Sequence, residues 1–356
     1  MKHFFVQFSV FLVVILLTSC KKEKKSIVDF DHFPKEFQVK AEHIAPENGV
    51  VLGASNSIVV MDSIIIVNDS DQNGLIKFFS KKTGKYLGSA GKKGEGPNEL
   101  IWAWKIINVN DSSILVIDIV KNSIFRFNVK HALQNKNYSP QLVVDFNKRG
   151  HTYAFSAVYI HDSIFVTPDT KVDNRLTFSN DKGEVYFKKG HYNDYSKNAN
   201  FDNSKLLSLN KDFLASSPNG KVIVSALFYF DILELFDETG NFIKAVRGPV
   251  NLKNEFRFKN NVIIPKNNDR YGYAALYCTN KNIYAVFSGE SYGKNDNLEG
   301  KNIHVFSLDG TPKCMYKIDV PICSIYVDEV NQVIYGIDLT NEKQIVTINL
   351  KNAKQI

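Results

Sequence analysis

The chain has 356 residues, a formal net charge of +7, and 44% hydrophobic and 12% aromatic residues. This hydrophobic content is ample for a folded protein with a sizeable core. The Lys and Arg residues are scattered along the sequence without a concentrated basic stripe, which excludes nucleic acid as the expected partner.

The N-terminus has the features of an export signal. A short basic start precedes an apolar run, Phe4–Leu17. At 14 residues, this run is shorter than a membrane span, which needs roughly 20, and fits the apolar region of a signal peptide. The following Leu17-Thr18-Ser19-Cys20 resembles the lipobox of bacterial lipoproteins. The resemblance implies that residues 1–20 are a lipoprotein signal peptide and that acyl chains on Cys20 anchor the protein. An ordinary signal peptide with an incidental cysteine is the alternative.

Residues 21–34 begin with Lys21-Lys22-Glu23-Lys24-Lys25 and offer few core candidates. We therefore predict a flexible basic linker over 21–34, followed by one folded domain over 35–356. In bacteroidete-like lipoproteins, acidic residues at this position favour display on the cell surface. By that resemblance, the basic residues here favour the periplasmic side of a membrane, with the outer membrane ahead of the inner one.

One strand pattern recurs six times along the chain, at intervals of 50 to 61 residues, starting at Ile64, Ile114, Ile164, Val222, Ile283 and Val333. Self-similarity at this period indicates an array of blades. Each repeat can be divided into four strands, a to d from the centre to the rim, with Gly-bearing turns that predict hairpins between c and d. In the first repeat these strands are Ser57–Met61, Ile64–Asn68, Leu75–Ser80 and Lys85–Gly88. The sequence thus predicts an all-β, six-bladed propeller with four-stranded antiparallel blades.

The last repeat has only three predicted strands, Ile322–Asp328, Val333–Asp338 and Gln344–Leu350. A closed ring must complete this sheet, because an open edge invites mispairing. The N-terminal stretch Phe37–Ile44 is the predicted fourth strand.

The segment Gly91–Leu100 resembles the G-x-G-P-G-E-F linker of six-bladed propellers related to NHL and TolB-like proteins, many of them bacteroidete lipoproteins. The matching residues are Gly94, Gly96, Pro97 and Glu99, whereas Asn98 and Leu100 depart from the pattern. The resemblance implies the six-bladed architecture over roughly residues 35–350. It does not imply one function, because propellers host many activities.

Strand alternation places the b–c and d–a loops on one face of the ring. We call this the long-loop face, because nearly all long connections belong to it: 89–101, 146–152, 189–211, 247–272 and 289–301. Long loops on a rigid scaffold often carry function, although they also tolerate insertions. Aromatic rings beside Arg and carboxylate groups suit sugars, peptides or anionic ligands. The candidate ligand-binding residues are Trp102, Arg149, His151, Tyr153, His191, Tyr192, Arg270, Tyr271, Glu290 and Tyr292. Surface tyrosines and blade-to-blade hydrogen bonds are the alternative interpretation.

No cofactor is predicted, and the only candidate metal is calcium. Asp69, Asp71 and Asn73 match the start of a calcium loop, but Ser80 stands where the bidentate Glu is required. A simple Asn-Gly turn explains the same residues. The sequence has no zinc-type Cys/His spacing, nucleophile elbow or phosphate-binding loop.

Two smaller features leave alternatives open. The three cysteines after Cys20 are predicted to be small hydrophobic residues in strands, although Cys314 and Cys323 are close enough in sequence to pair. Asp62-Ser63-Ile64 and Asp162-Ser163-Ile164 resemble the O-glycosylation sequence of bacteroidete envelope proteins, and they also fit a turn that leads into strand b.

The favoured hypothesis is a non-catalytic binding or scaffolding lipoprotein of the cell envelope, which uses its long-loop face for a glycan, peptide or protein partner. The second is a propeller enzyme, a lyase or hydrolase acting on an envelope or dietary polymer, which would need convergent polar groups at the channel mouth. The third is a subunit of an envelope complex, which would show a broad exposed apolar patch.

Overall fold

The computed structural model describes residues 27–44, 50–69, 74–149, 155–161, 164–170, 173–196, 201–293 and 298–356, with only the backbone at 148 and 149. The described chain begins with three short strands, β1 (Ile27–Asp29), β2 (Glu36–Val39) and β3 (Ala41–His43).

Six blades follow in chain order. Blade one contains β4 (Ile58–Met61), β5 (Ile64–Asn68), β6 (Ile76–Ser80) and β7 (Tyr86–Ala90). Blade two contains β8 (Ala103–Asn110), β9 (Ser113–Asp118), β10 (Ser123–Asn128), helix α1 (Val129–Gln134) and β11 (Gln141–Asp145), and ends in a 3-10 turn, Phe146–Arg149. Blade three contains β12 (Val158–Ile160), β13 (Ile164–Pro168), β14 (Leu176–Ser179) and β15 (Val185–Lys189).

Helix α2 (Asn203–Leu209) precedes blade four, which contains β16 (Asp212–Ser216), β17 (Val222–Leu227), β18 (Ile232–Asp237) and β19 (Phe242–Arg247). A hairpin of β20 (Arg257–Lys259) and β21 (Val262–Ile264) leads to blade five, with β22 (Tyr273–Cys278), β23 (Asn282–Phe287), β24 (Gly300–Ser307) and β25 (Pro312–Ile322). Blade six contains β26 (Ser324–Asp328), β27 (Val333–Ile337) and β28 (Ile345–Asn349), and is followed by a 3-10 turn, Leu350–Asn352, and β29 (Lys354–Gln355).

The predicted six-bladed propeller is confirmed. Consecutive strands of each blade pair antiparallel, and the innermost strands of neighbouring blades contact one another around the ring. Phe78 of blade one, for example, belongs to the same buried cluster as Ile114 and Val116 of blade two. Because neighbouring blades cover both faces of the second strand of each blade, these strands, such as β9 and β23, are nearly continuous buried runs rather than alternating ones.

The predicted closure of blade six by an N-terminal strand is also confirmed. Strand β3 pairs antiparallel with β28, with Ala41 opposite Ile348 and His43 opposite Val346. The predicted strand Phe37–Ile44 is, however, divided between two blades, since β2 pairs in parallel with β25 at the rim of blade five. Strand β29 then pairs with the other edge of β2.

The structure differs from the predicted linker over 21–34, because the chain contacts the propeller from Ile27 onward. Strand β1 pairs in parallel with β19, the outermost strand of blade four. Phe33 is 3% exposed, and its ring lies 5.6 Å from Phe306 and 4.8 Å from His304, measured between centroids. The N-terminal segment therefore crosses the rims of blades four, five and six in turn. Burial of Phe33 supplies the apolar contact that an extended tether would lack.

Aspartates at or just after the end of the second strand of several blades bind the linkers to the ring through hydrogen bonds. Asp69 Oδ1 accepts hydrogen bonds from the backbone N–H groups of Gly53 and Ala54, at 2.8 and 3.2 Å. Asp118 does the same for the linker before β8. This shared contact explains the recurrence of Asp at this point of the repeat.

The glycines of the family-like linker leave room for a folded-back carboxylate. A Cβ atom on Gly94 would lie 2.1 Å from Glu99 Oε2, and one on Gly96 would lie 2.9 Å from it. The same oxygen accepts the Gly96 backbone N–H at 3.0 Å. Glycine is therefore required by close approach to Glu99.

Cys278, Cys314 and Cys323 are free thiols, so the alternative pairing of Cys314 with Cys323 is wrong. Asp62 and Ser63 form an exposed turn before β5, with Asp62 at φ 48°, whereas Asp162 and Ser163 lie outside the described residues. Neither helix of the described chain is long and apolar enough to cross a membrane.

Candidate functional site

The long connections before and after blade four assemble into a cap over that side of the long-loop face. The cap consists of α2, the β20–β21 hairpin and the described residues that flank them. Leu206 and Leu209 of α2 are buried in one cluster with Tyr229 and Ile263. Ser208 Oγ donates to the carbonyl of Asn261 at 2.7 Å, which ties the helix to the hairpin. The cap is thus a packed apolar unit.

A cavity of about 400 Å³ lies between this cap and blades three and four. Its walls come from the b–c and d–a connections of these blades. They are mainly apolar and aromatic, with a few polar groups: Phe155, Pro168, Thr170, Tyr192, Leu207, Ser208, Asn210, Lys211, Asp212, Tyr229, Val262 and Ile263. A concave apolar site with few polar groups is the usual form of a small-ligand site.

Lys211 is the cation of this cavity. Its Nζ lies 4.8 Å from the ring centroid of Phe155 and 4.6 Å from that of Phe228. The side chain stays exposed, yet desolvation by the surrounding protein lowers the pKa of its ammonium. No carboxylate of the described residues forms a salt bridge with it. An ammonium held by two rings without a counter-ion can accept an anionic group.

Asp212, the next residue, is by contrast held in a buried ionic network. The Arg175 Nη2 group donates to Asp212 Oδ2 at 2.5 Å and to Ser225 Oγ at 2.6 Å, while Arg175 Nε donates to Glu234 Oε2 at 2.8 Å. Arg175 and Glu234 are both 0% exposed. Burial alone would lower the pKa of Arg175, but the adjacent Asp212 and Glu234 raise it above its ordinary value. The network joins blades three and four.

The same network reaches the loop that follows blade three. Glu234 Oε1 accepts hydrogen bonds from Asn193 Nδ2 and from the Tyr195 hydroxyl, both at 2.7 Å. Burial and the Glu234 carboxylate raise the pKa of Tyr195 well above its ordinary value. Residues 193–195, which follow blade three, are therefore fixed to blade four by these hydrogen bonds. The Tyr195 hydroxyl keeps its proton and acts as the donor.

A third cation, Lys105, lies near the centre of the ring. Its Nζ donates to the carbonyls of Ala157 and Leu214 at 3.0 and 2.9 Å, so that it links blade two to blades three and four. Desolvation lowers its pKa to about 8, although Asp212 opposes this shift. Near neutral pH, Lys105 holds a proton between two backbone carbonyls.

The predicted ligand-binding residues are not brought into one site. Tyr192 lines the cavity, but it is only 6% exposed and its hydroxyl donates to the backbone carbonyl of Asp169. His191 is exposed beside it. Trp102 is 50% exposed in the linker before blade two, outside the cavity walls. The neighbouring Trp104 lies closer to the cavity, with its ring 5.0 Å from Phe155.

Arg270, Tyr271, Glu290 and Tyr292 form a second group beside the cavity. The rings of Tyr271 and Tyr292 stack at 4.4 Å, and the Tyr271 backbone N–H donates to the carbonyl of Glu290 at 2.9 Å. Arg270 is exposed. Tyr229 connects the two regions, because it lines the cavity and its hydroxyl lies 3.4 Å from that of Tyr292. Burial raises the pKa of Tyr292 above its ordinary value.

Several of the predicted site residues lie outside the described ranges. His151, Tyr153, Asp71, Asn73 and Cys20 are not among the described residues, and neither is the Arg149 side chain.

Of the three residues of the calcium candidate, Asp69 is the one that belongs to the described residues. It is 2% exposed, with Lys77 Nζ 3.3 Å from Oδ2. Its contacts are those of the repeated linker aspartate. Within the described ranges, no three His, Cys, Asp or Glu residues are grouped as metal ligands.

The cavity residues Phe155, Lys211 and Tyr229 were missed by sequence reasoning. Lys211 is one of 44 Lys and Arg residues, and only folding brings Phe155 and Phe228 to its ammonium. Arg175 and Glu234 had a detectable signal, since Glu234 is a charged residue within the apolar strand segment ILELF and Arg175 directly precedes the strand segment LTF. Such residues are almost never buried unless paired.

The fold defines the class of this protein, a six-bladed β-propeller. A family model described as TolB-like 6-blade propeller-like matches residues 32–330. This match spans most of the chain, so the chain belongs to the TolB-like six-bladed propeller family, and the resemblance of its sequence to this family is confirmed.

Two solved structures share the fold at low sequence identity. A Bacteroides fragilis protein thought to be exported has 11% identity and a TM-score of 0.55, over 91% of this chain and 99% of that one. U3-55K has 9% identity and a TM-score of 0.50, over 87% of this chain and 98% of that one. The chain matches no curated protein sequence. At these identities, the likeness concerns the fold alone.

Proposed function

We propose that this protein is a non-catalytic binding propeller of the bacterial cell envelope, whose ligand occupies the cavity beneath the cap. The observation that carries the proposal is the Lys211 ammonium, which lies between two aromatic rings at a largely apolar cavity. The one carboxylate of the cavity walls, Asp212, is engaged by Arg175 and Ser225. The wall groups are therefore suited to binding an anion rather than to paired acid–base chemistry.

The chemistry of the walls defines the ligand class. A carboxylate or sulfate group would pair with Lys211, and an apolar or planar body would lie against Phe155, Tyr229 and Ile263. At about 400 Å³, the cavity has the size of sites that hold small ligands. The end of an apolar peptide and an acidic sugar of a glycan both offer this combination.

Matched probe pairs test the proposal. The pairs are N-acetyl-Phe-Leu with its C-terminal amide, and a trigalacturonate with a neutral galactose trimer, measured by titration calorimetry on the mature chain. We expect the charged member of at least one pair to bind, and Lys211→Gln to weaken it by about 10-fold or more, the value of one charge-assisted contact. Equal binding of the charged and neutral members of a pair, or no binding by any member of either pair, would contradict the proposal.

A blocking variant tests the location of the site. Val262 lines the cavity and is 65% exposed, so Val262→Trp should fill the mouth with little effect on folding. Val330→Trp, at a position that is 91% exposed in blade six, is the matched control. Loss of binding in the first variant alone is expected, and unchanged binding in the first variant would place the ligand elsewhere.

We further propose that the protein is exported and lipid-anchored at Cys20, on the periplasmic side of the outer membrane. The apolar leader, the lipobox-like Leu17–Cys20 and the basic residues after it support this address. So does the structural likeness to a Bacteroides fragilis protein thought to be exported. Mass spectrometry of the purified protein should find acyl chains on Cys20, and Cys20→Ser should shift the protein from the membrane to the soluble fraction. An unmodified Cys20 would refute the anchor.

A further inference from the structure

Only six residues, 21–26, separate Cys20 from Ile27, where β1 begins on the rim of blade four. A chain advances at most about 3.5 Å per residue, so Ile27 lies within about 25 Å of an anchor at Cys20. This bound applies to every conformation of the connecting residues. An anchored propeller must therefore keep this rim near the membrane.

The rim of blades three and four carries a group of exposed apolar side chains. On blade four, Val28 of β1 is 43% exposed and Ile243 of β19 is 48% exposed. Val250, which follows β19, is 47% exposed, and Tyr186 on the outermost strand of blade three is 59% exposed. Exposed apolar side chains on one rim suit contact with an apolar environment, and a tyrosine suits the boundary between lipid and water.

The segment that precedes β1 carries a positive charge that fits an anionic lipid surface. Lys21, Lys22, Lys24 and Lys25 precede β1. Lys189 at the end of β15 and Lys253 after β19 are exposed on the folded domain. Basic residues beside a membrane anchor are attracted by anionic headgroups.

We propose that the rim formed by β1, β15, β19 and residues 248–250 lies against the membrane, so that the propeller stands edge-on. This inference rests on the proposed anchor at Cys20. In this orientation neither face of the ring is pressed against lipid, and the cavity on blades three and four opens sideways near the bilayer surface. The occupant of this rim is the lipid bilayer itself.

Fluorescence quenching tests the orientation. The full lipidated chain is placed in vesicles of phosphatidylethanolamine and phosphatidylglycerol at 3:1 that contain a headgroup-linked quencher, with a fluorophore on Ile243→Cys or Leu87→Cys. Leu87 is the matched control, because it is 42% exposed on the outermost strand of blade one, across the ring from blade four. The wild-type chain gives the background labelling of its three free cysteines.

We expect quenching at position 243 to exceed that at position 87 by at least threefold. Insertion of 20 Gly and Ser residues after Lys25 should remove most of this difference, since the longer tether relaxes the distance bound. Equal quenching at both positions, or stronger quenching at 87, would overturn the edge-on orientation. Mass spectrometry of Cys20 in the same sample separates this result from failure of the anchor, in which case both labels would stay unquenched.

Discussion

Arg175 and Lys211 are both cations next to Asp212, yet their surroundings are opposite. The Arg175 guanidinium is fully buried and donates to Asp212, Ser225 and Glu234. The Lys211 residue is exposed, and its ammonium contacts two aromatic rings. A cation whose charge is compensated inside the protein holds the fold together, whereas one that lacks a counter-ion has charge to offer to a ligand.

The largest effect is expected for Arg175→Gln. This change leaves Asp212 and Glu234 buried without their cation, which should lower the free energy of unfolding by about 3–5 kcal/mol. Urea unfolding followed by circular dichroism measures the loss. Arg126→Gln, in a partly exposed position of β10, is the control and should lose less than about 1 kcal/mol.

A neutralised variant sharpens this test. When Arg175→Gln is combined with Asp212→Asn and Glu234→Gln, the stranded charges are removed and part of the lost stability should return. If the triple variant were less stable than Arg175→Gln alone, uncompensated charge would not be the cause of the loss. A loss below about 1 kcal/mol for Arg175→Gln itself would contradict the structural role that we assign to Arg175 in contrast to Lys211.

The sequence was sufficient to predict the propeller, because each blade repeats a local pattern of apolar strands and tight turns. The six repeat starts, such as Ile64 and Val333, correspond to strands β5 and β27. The N-terminal segment was harder to predict. Strands β1 and β2 pair in parallel with the rims of blades four and five, and such long-range edge pairing leaves no signal in local periodicity.

The cavity could be located only coarsely from the sequence. Loop length indicated the long-loop face, and Tyr192 and the residues near Tyr292 do lie in or beside the cavity region. Residue chemistry alone could not show that the Tyr192 hydroxyl donates to the Asp169 carbonyl, or that no carboxylate in the described part of the chain pairs with Lys211. Whether a polar group is compensated depends on distant residues, which only the tertiary structure brings together.

Lys105 is intermediate between these two cations. It donates hydrogen bonds to protein groups, as Arg175 does, but its pKa is lowered, as that of Lys211 is. Its contribution to stability should therefore depend on pH. Its folded pKa of about 8 lies below the ordinary lysine value, because burial disfavours the ammonium. The unfolded chain therefore binds more protons between about pH 8 and 10, and stability from this residue must rise with pH in that window. Compared with Lys105→Met, the wild type should gain about 1–3 kcal/mol over this range.

Urea unfolding of the wild type and Lys105→Met at pH 7.5, 8.5 and 9.5 measures this difference. Taking the difference cancels the titration of other groups, including the tyrosines. A matched control is Lys182→Gln in the exposed turn between β14 and β15, which should follow the wild type at every pH. Parallel stability curves for the wild type and Lys105→Met would show that Lys105 keeps an ordinary pKa in the ring.

The smallest effect on stability is expected for Lys211→Gln. Only two cation–ring contacts are lost at an exposed site, so the free energy of unfolding should change by less than about 1 kcal/mol, while binding of the charged probe falls. Urea unfolding and calorimetric titration of the same preparation measure both quantities, with Lys182→Gln as the control for each. A stability loss above about 2 kcal/mol would make Lys211 a structural cation like Arg175. Retained stability with lost binding would assign ligand binding to Lys211 and the joining of the blades to Arg175, although Lys211 precedes Asp212 in sequence and Arg175 pairs with it.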